Sequence, residues 1–142
     1  MIENNFEKKE NKSVIYTAEF VKDIQDLINR FPPKHQKVFG HHSTNAFKPA
    51  NLDGVEVGKE TIMKIIGRVF DEKGDALLVE NLKATFKYPH ITLSCAEGVP
   101  PFYSNEMIEK AVASGAVEYF SNPEEVSVVE GYSNGKDDIT SL

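Results

Sequence analysis

The most constraining feature of the sequence is a strict alternation of polar and apolar side chains over residues 88–95. The even positions of this segment are Tyr, His, Thr and Ser, and the odd positions are Pro, Ile, Leu and Cys. Because successive side chains of a β-strand point to opposite faces, the alternation predicts a strand with one face in the core and one polar face. His90 and Thr92 lie on that polar face. A polar row on a strand with a buried back is typical of the floor of a cleft.

A second segment rich in histidine and hydroxyl side chains, residues 40–47, is polar on both faces. Its sequence is Gly-His-His-Ser-Thr-Asn-Ala-Phe. Two pairs of side chains share a face in an extended chain here, His42 with Thr44 or His41 with Ser43. Strand parity does not choose between them, and an exposed sheet edge would also explain the adjacent histidines.

The rest of the chain predicts a small α+β domain with more strand than helix. Apolar residues recur at helical spacing in residues 21–31 and 105–114, and Ser104 and Gly115 are suited to begin and end the second helix. The five residues 71–75, Asp-Glu-Lys-Gly-Asp, predict a hairpin turn. β-branched and aromatic residues predict strands over residues 13–20, 37–47, 61–70, 76–80, 86–95, 116–120 and 126–130.

The predicted domain covers residues 13–131, between two polar segments. Residues 1–12 predict a flexible N-terminal tail and not a secretory signal, and residues 132–142 predict a polar, mobile C-terminal tail. No apolar run approaches the roughly 18 residues of a membrane-spanning helix, so we expect no membrane partner. Cys95 is the one cysteine, which excludes an internal disulfide and is typical of a reducing cytoplasm, where we expect the protein.

The net charge of −6 restricts the kind of nucleic acid that the chain is suited to bind. Proteins that hold a long nucleic acid usually carry a basic stripe, because phosphate contacts supply most of the affinity. No such stripe is visible in the sequence. We therefore expect any nucleotide substrate to be short, or to be contacted only at its end.

The two histidine segments together resemble the paired His-x-Thr motifs of the 2H phosphoesterase superfamily. Residues 89–93, Pro-His-Ile-Thr-Leu, match the family pattern, which has apolar residues after His and after Thr, whereas Ser43 and Asn45 hold those places in the first segment. The order strand, helix, first motif, hairpin, second motif covers roughly residues 13–95, and the two histidines are closer in the chain than in most members. The resemblance implies a small bilobal α+β domain, with β-strands lining a central cleft and helices outside.

The superfamily includes RNA 2′,3′-cyclic phosphodiesterases, 2′-5′ RNA ligases and phage enzymes that destroy cyclic oligonucleotide signals. The resemblance implies a phosphodiesterase without metal or other cofactor, acting on an RNA 2′,3′-cyclic phosphate end, a 2′-5′-linked oligonucleotide or a cyclic oligonucleotide, the last as a phage anti-defence activity. It assigns catalysis to His42, Thr44, His90 and Thr92. Histidine, with an unperturbed pKa of about 6.5, suits both a general base and a general acid. Hydroxyls two residues further along each strand are placed to donate to phosphate oxygens.

Five further residues are candidates for contacting the substrate. Tyr16, on the first predicted strand, is suited to stack on a nucleobase, and Lys48 would supply positive charge to a phosphate. Tyr103, Ser104 and Asn105 follow a rigid proline loop at the start of a helix, where backbone amides favour anions. Three of the five have a structural alternative: core packing for Tyr16, solvation for Lys48 and helix capping for Ser104.

Two other interpretations stay open from the sequence. His41, His42 and His90 with a carboxylate would offer ligands for zinc or iron, although adjacent histidines on a strand point to opposite faces and chelate one ion poorly. The irregular first motif is also compatible with a domain of the same fold that binds nucleotides and does not turn them over.

Overall fold

A computed structural model describes residues 14–142, so the predicted N-terminal tail, residues 1–12, lies outside the described residues. Strand predominates over helix in this part of the chain, which agrees with the α+β prediction in its coarse form. No helix among the described residues is long and apolar enough to cross a membrane. The elements in chain order are β1 (Tyr16–Val21), α1 (Ile24–Arg30), β2 (Lys37–Val38), β3 (His42–Phe47), β4 (Glu60–Phe70), β5 (Gly74–Glu80), β6 (His90–Cys95), α2 (Tyr103–Ser114), β7 (Glu118–Ser133) and β8 (Asp138–Ile139).

The strands form one antiparallel sheet in the order β2-β6-β5-β4-β7-β1-β3, with β8 paired to β7. The sheet is strongly curled, since β3 lies against β6 although four strands separate the two in this order. It runs without interruption through all the described strands, so a division into two lobes is not visible in the strand order. The curl brings the two strands that carry the His-x-Thr motifs close together.

A glycine between β2 and β3 makes this closure possible. Gly40 has a φ of 64°, in the left-handed region that favours glycine, and its N–H donates to the Thr92 carbonyl at 3.0 Å. Strand β2 pairs with β6, whereas β3 pairs with β1, so this segment connects the two ends of the sheet. The single strand predicted over residues 37–47 is therefore two strands with a bend at Gly40.

The two faces of the sheet bury different apolar clusters, each covered by one helix. On β5, Leu77 and Val79 join the cluster that contains Leu27 of α1, whereas Ala76 and Leu78 join the cluster that contains α2. Burial on both faces explains why β5 is apolar at successive positions and shows no alternation. Each fully buried leucine contributes roughly 1.5–3 kcal/mol relative to an exposed one.

The predicted β4–β5 hairpin is confirmed, and the chemistry of its turn is local. One carboxylate oxygen of Asp71 accepts hydrogen bonds from the backbone N–H groups of Lys73 and Gly74, both at 2.8 Å. Asp in this role stabilises a tight turn by replacing a backbone acceptor.

The first helix is shorter than the predicted segment 21–31. Strand β1 continues to Val21, and α1 begins at Ile24. The side chain of Asp23 caps the helix by accepting from the N–H of Asp26 at 3.0 Å. The apolar periodicity of this segment therefore spans the end of a strand as well as the helix.

Two other predicted elements begin elsewhere. The strand predicted over residues 86–95 begins at His90, directly after Pro89, which has no N–H for the ladder. The second helix begins at Tyr103, two residues before its predicted start. The proline loop itself turns into this helix, since the N–H of Tyr103 donates to the Pro100 carbonyl at 3.0 Å.

The two closing strands predicted separately are one long strand, β7, with a bulge. Its pairing with β4 skips residues 120–123, between the paired residues Tyr119 and Glu124. Pro123 lies in the skipped segment, where its missing N–H removes no ladder hydrogen bond. The proline made the two halves of β7 look like separate elements in the sequence.

The predicted C-terminal tail, residues 132–142, contributes to the sheet. Tyr132 and Ser133 are buried at the end of β7 and pair with β8. Gly131 permits the close approach of this last segment, because a Cβ at that position would lie 2.1 Å from the Ile139 carbonyl oxygen. The polar composition gave no indication of this role, since β8 is held by backbone pairing with β7.

Candidate active site

On β3 the side chains alternate between a cavity and the protein interior. His42 and Thr44 line the cavity, whereas Ser43 and Asn45 are 0% and 4% exposed. Both buried side chains accept from the side-chain amide of Asn81, Ser43 at 3.1 Å and Asn45 at 2.7 Å. Of the two pairings that the sequence left open, His42 with Thr44 is the one in which both side chains line the cavity.

On β6 the structure has the alternation that the sequence predicts at this site. His90 and Thr92 line the same cavity, while Ile91 and Leu93 are fully buried in the core. Nδ1 of His90 lies 2.8 Å from the carbonyl oxygen of Tyr88. Because a carbonyl only accepts, Nδ1 carries the proton, and Nε2 of the neutral ring is left as an acceptor.

The cavity shared by the two strands has a volume of about 570 Å³. Apart from the histidines and threonines its wall is largely apolar, and includes Phe39, Phe47, Phe86, Pro101 and Phe102. Within the described part of the chain, no lysine or arginine belongs to this lining. An anion in the cavity would therefore meet imidazole and hydroxyl groups and the amide of Asn105, and no permanently charged side chain.

Three histidines line the cavity, His41, His42 and His90, and burial lowers the pKa of the two that belong to the His-x-Thr motifs, His42 and His90. The pKa of His42 falls to about 3, first because burial disfavours the imidazolium and then through the neighbouring His41 and His90. Burial also lowers the pKa of His90, but the hydrogen bond to the Tyr88 carbonyl opposes this effect. Both rings are thus neutral at pH 7 in the free protein, and His90 takes up a proton more readily. A bound phosphodiester anion would raise both pKa values.

The ring of His42 is held by side chains from several elements. Tyr16 of β1 stacks on it, with ring centroids 4.6 Å apart and an angle of 20° between the planes. Nδ1 of His42 lies 2.8 Å from Nδ1 of His41, and Nε2 of His41 lies 2.6 Å from a carboxylate oxygen of Asp138. Tyr16 is on the cavity wall, and burial raises the pKa of its hydroxyl.

Lys48 and Tyr103, two of the predicted substrate contacts, are not part of the cavity lining. Nζ of Lys48 lies 5.5 Å from the centroid of the Phe47 ring. The hydroxyl of Tyr103 donates to Asp71 at 2.5 Å, and this bond raises the pKa of Tyr103 to about 12. The ring of Tyr103 packs over Gly74, where an added Cβ would lie 3.0 Å from Cδ2 of the ring. Because α2 begins at Tyr103, this side chain points to the β4–β5 hairpin.

Ser104 is not part of the cavity lining, but its side chain contacts Thr92 from the protein interior. It does not cap α2 as predicted. The N-cap position belongs to Phe102, without a side-chain hydrogen bond. Oγ of the fully buried Ser104 lies 2.8 Å from Oγ1 of Thr92. When Ser104 donates, the hydroxyl hydrogen of Thr92 is left for the Pro101 carbonyl, 3.3 Å away, or for a ligand in the cavity.

The comparison with protein families identifies the class of domain. Residues 57–131, just over half of the chain, match the family described as the fungal tRNA ligase phosphodiesterase domain. The chain belongs to this family. The resemblance to the 2H phosphoesterases is thereby confirmed. The matched range of this phosphodiesterase domain includes β6, the strand that carries His90. The His42 strand precedes that range. A search of curated proteins finds no match.

Sequence reasoning missed two features of this phosphodiesterase domain. The apolar wall had a signal, because Phe39 and Phe47 flank the first motif and Phe86 precedes the second. No feature of the sequence indicates the role of Asp138, because it lies 97 positions from its partner His41 and the pairing of the strands brings the two together.

Within residues 14–142 no three His, Cys, Asp or Glu side chains are grouped in a way that could hold a metal ion.

Proposed function

We propose that this domain is a metal-independent phosphodiesterase that hydrolyses a short nucleotide substrate, with an RNA 2′,3′-cyclic phosphate end as the first candidate. One observation carries the proposal. Two His-x-Thr strands line a single cavity, and each histidine has Nδ1 hydrogen-bonded and Nε2 left for a ligand. Membership in a phosphodiesterase domain family supports the same class of reaction.

His42 is the base and His90 the acid in this proposal. In-line attack at phosphorus needs a base for the attacking water and an acid for the leaving ribose oxygen. The pKa of His42 is lowered to about 3, whereas the carbonyl hydrogen bond partly offsets the lowering at His90. His90 is therefore the ring that holds the catalytic proton. Nε2 of His42 accepts the proton of the water, while Nε2–H of His90 gives its proton to the leaving oxygen.

The two threonines stabilise the charge that builds on the phosphate. Thr44 and Thr92 lie two residues after the histidines, which places each hydroxyl about 6–7 Å further along the same strand face. Donated hydrogen bonds to the non-bridging oxygens strengthen as negative charge develops in the transition state. The buried hydroxyl of Ser104 supports this arrangement by contacting Thr92 at 2.8 Å.

The aromatic wall of the cavity favours a small substrate that carries a nucleobase. Phe47 and Phe102 are 59% and 74% exposed, although large apolar side chains are usually buried. Stacking of a nucleobase on an aromatic ring contributes roughly 1–3 kcal/mol. The cavity lining holds no lysine or arginine among the described residues, and the net charge is −6, so a long polyanion finds little attraction.

The test is turnover of three substrates by wild type, His42→Ala and His90→Ala in the presence of a chelator. The substrates are a 2′,3′-cyclic nucleotide, a 2′-5′-linked oligonucleotide and a cyclic oligonucleotide, with products separated by chromatography. We expect turnover by wild type, foremost of the 2′,3′-cyclic nucleotide, and a loss of about 10²- to 10⁴-fold in each variant. His35→Ala is the matched control, because this ring contacts the backbone carbonyls of Asp71 and Gly74, at 2.8 and 3.2 Å, and not the cavity.

Each outcome has a distinct meaning. Equal rates in wild type and both variants would overturn the histidine mechanism, and activity abolished by the chelator would overturn metal independence. Binding of a nucleotide without turnover by wild type would support the alternative, an inactive nucleotide-binding domain of the same fold. Preferred cleavage of the cyclic oligonucleotide would redirect the proposal to destruction of such a signal, the reaction of a phage anti-defence enzyme.

A further inference from the structure

Three ionisable side chains form a hydrogen-bonded chain that ends at the cavity. A carboxylate oxygen of Asp138 lies 2.6 Å from Nε2 of His41, and Nδ1 of His41 lies 2.8 Å from Nδ1 of His42. We infer that Asp138 and His41 are positioning residues, which keep the proton of His42 on Nδ1 and so make Nε2 the proton acceptor of the site. This inference rests on the proposed role of His42 as the base.

The direction of the protons follows from the carboxylate. An ionised carboxylate only accepts, so Nε2 of His41 donates to Asp138. A neutral imidazole carries one proton, and Nδ1 of His41 is therefore an acceptor. The matching donor is Nδ1–H of His42. Nε2 of His42 then carries a lone pair and is the nitrogen that meets a ligand.

Aromatic contacts hold both rings in the orientations that this chain requires. Tyr16 stacks on His42, and Phe20 meets the ring of His41 edge-on, with centroids 5.4 Å apart and an angle of 76°. The two imidazole planes are nearly perpendicular, at 89°. A flip of either ring would break the nitrogen–nitrogen contact, so packing and hydrogen bonding specify the same arrangement.

Backbone pairing places the carboxylate in register with this site. Asp138 of β8 lies opposite Ser133 of β7, and Ser133 lies opposite Tyr16 of β1. Tyr16 in turn pairs with Phe47 of β3, the strand of the first motif. The C-terminal segment is therefore part of the proposed active site through Asp138, although its side chain does not line the cavity.

The hydrogen-bonded chain also allows a positive charge on the buried His42 ring to move to His41. When Nε2 of His42 gains a proton, the proton on its Nδ1 passes to Nδ1 of His41. His41 is then an imidazolium with both N–H groups bonded, to Asp138 and to a neutral His42. His41 and Asp138 are 35% and 38% exposed, so the charge lies beside a carboxylate and near water. Without this transfer the ring would be a weak base, because burial lowers the pKa of His42 to about 3.

The experiment compares Asp138→Asn and Asp138→Ala with a control variant at the neighbouring exposed residue, Asp137→Asn. The titratable groups that face the His41–His42 pair are Asp138 from β8, His90 from β6 and Tyr16 from β1. An asparagine amide at position 138 donates to Nε2 of His41, which reverses the chain and leaves the proton of His42 on Nε2. We expect kcat to fall about 10²-fold in Asp138→Asn with little change in KM. Asp138→Ala loses less, because alanine imposes no proton position, and Asp137→Asn equals wild type.

A second measurement is independent of activity. Long-range ¹H–¹⁵N spectra of the histidine rings report which nitrogen of His42 carries the proton. We expect Nδ1–H in wild type and Asp137→Asn, and Nε2–H in Asp138→Asn. Greater damage by alanine than by asparagine, or an unchanged proton position in Asp138→Asn, would overturn the positioning roles, because a merely structural carboxylate tolerates the isosteric change better.

The failures of the two proposals are distinguishable. If wild type turns over none of the substrates, the proposed function fails, and the spectra still decide the arrangement of protons. If wild type is active and His42→Ala is not, but Asp138→Asn equals wild type, only the roles of Asp138 and His41 fail.

Discussion

The two His-x-Thr strands line one cavity, but their histidines are held in different ways. Nδ1 of His90 donates to the carbonyl of Tyr88, two residues earlier in the chain. His42 depends on the adjacent His41, which is held in turn by Asp138, 97 positions away from His41. The first contact forms whenever the strand end forms, whereas the second requires the complete sheet. One half of the proposed active site is thus encoded locally and the other by the tertiary structure.

The largest expected effect separates the two halves by their chemical role. A 4-nitrophenyl phosphodiester of a nucleoside has a leaving group that departs without being protonated, so it needs no general acid. We expect His90→Ala to recover most of its loss of about 10²- to 10⁴-fold on this substrate, while His42→Ala stays inactive. The measurement is kcat/KM of each variant for the 4-nitrophenyl phosphodiester and for the 2′,3′-cyclic nucleotide, with His35→Ala as the control. Recovery by His42→Ala alone would reverse the assignment of acid and base.

A smaller effect sharpens the comparison at the threonine of the second motif. Ser104→Ala removes the buried hydroxyl that contacts Thr92, so the Thr92 hydroxyl loses a fixed partner. We expect kcat to fall about 10-fold with KM nearly unchanged, and stability to fall by about 1 kcal/mol. Ser114→Ala is the matched control, because that exposed hydroxyl on the same helix donates only to backbone carbonyls. Equal kcat values in the two variants would remove Ser104 from the account.

A third difference between the two histidines concerns the dependence of stability on pH. The pKa of His42 is lowered to about 3 in the folded protein, so below pH 6.5 the unfolded chain binds more protons there than the folded one. Stability should therefore fall as the pH is lowered below 6.5, by up to about 1.4 kcal/mol per pH unit from this ring. His42→Gln should flatten the slope between pH 6.5 and about pH 4 in urea unfolding. His90→Gln should flatten it less, and the opposite order would contradict the difference between the two rings.

The same contrast explains how much of the site could be predicted from the sequence. The alternation around His90 depends only on neighbouring residues, as does the hairpin turn at Asp71. The turn is confirmed, and the alternation is confirmed from His90 to Leu93, whereas Ser94 is fully buried and donates to Asp75 at 2.8 Å. The pairing of His42 with Thr44 could not be predicted from parity, because Ser43 is as polar as its neighbours. Its burial depends on Asn81, which reaches it from beyond β5.

The remaining differences come from contacts between distant segments. The role of Asp138 requires β8 to pair with β7, and nothing in a polar C-terminal segment indicates that pairing. Tyr103 is directed to Asp71 because α2 begins two residues earlier than its apolar periodicity predicts. Substrate contact by Tyr103 was a reasonable expectation for a residue at a helix start, but the helix axis and its start decide where the side chain points.

The most direct test of the central claim, that His42 and His90 act as base and acid, is the dependence of kcat/KM on pH in the free enzyme. His90 must be protonated and His42 neutral, and the pKa of each is lowered from the usual value of about 6.5. We therefore expect a bell-shaped profile in which both limbs lie below pH 6.5, the alkaline limb from His90 and the acid limb from His42 at lower pH, with the alkaline limb absent in His90→Ala. A profile that rises through pH 7, or an alkaline limb that persists in His90→Ala, would contradict the two-histidine mechanism.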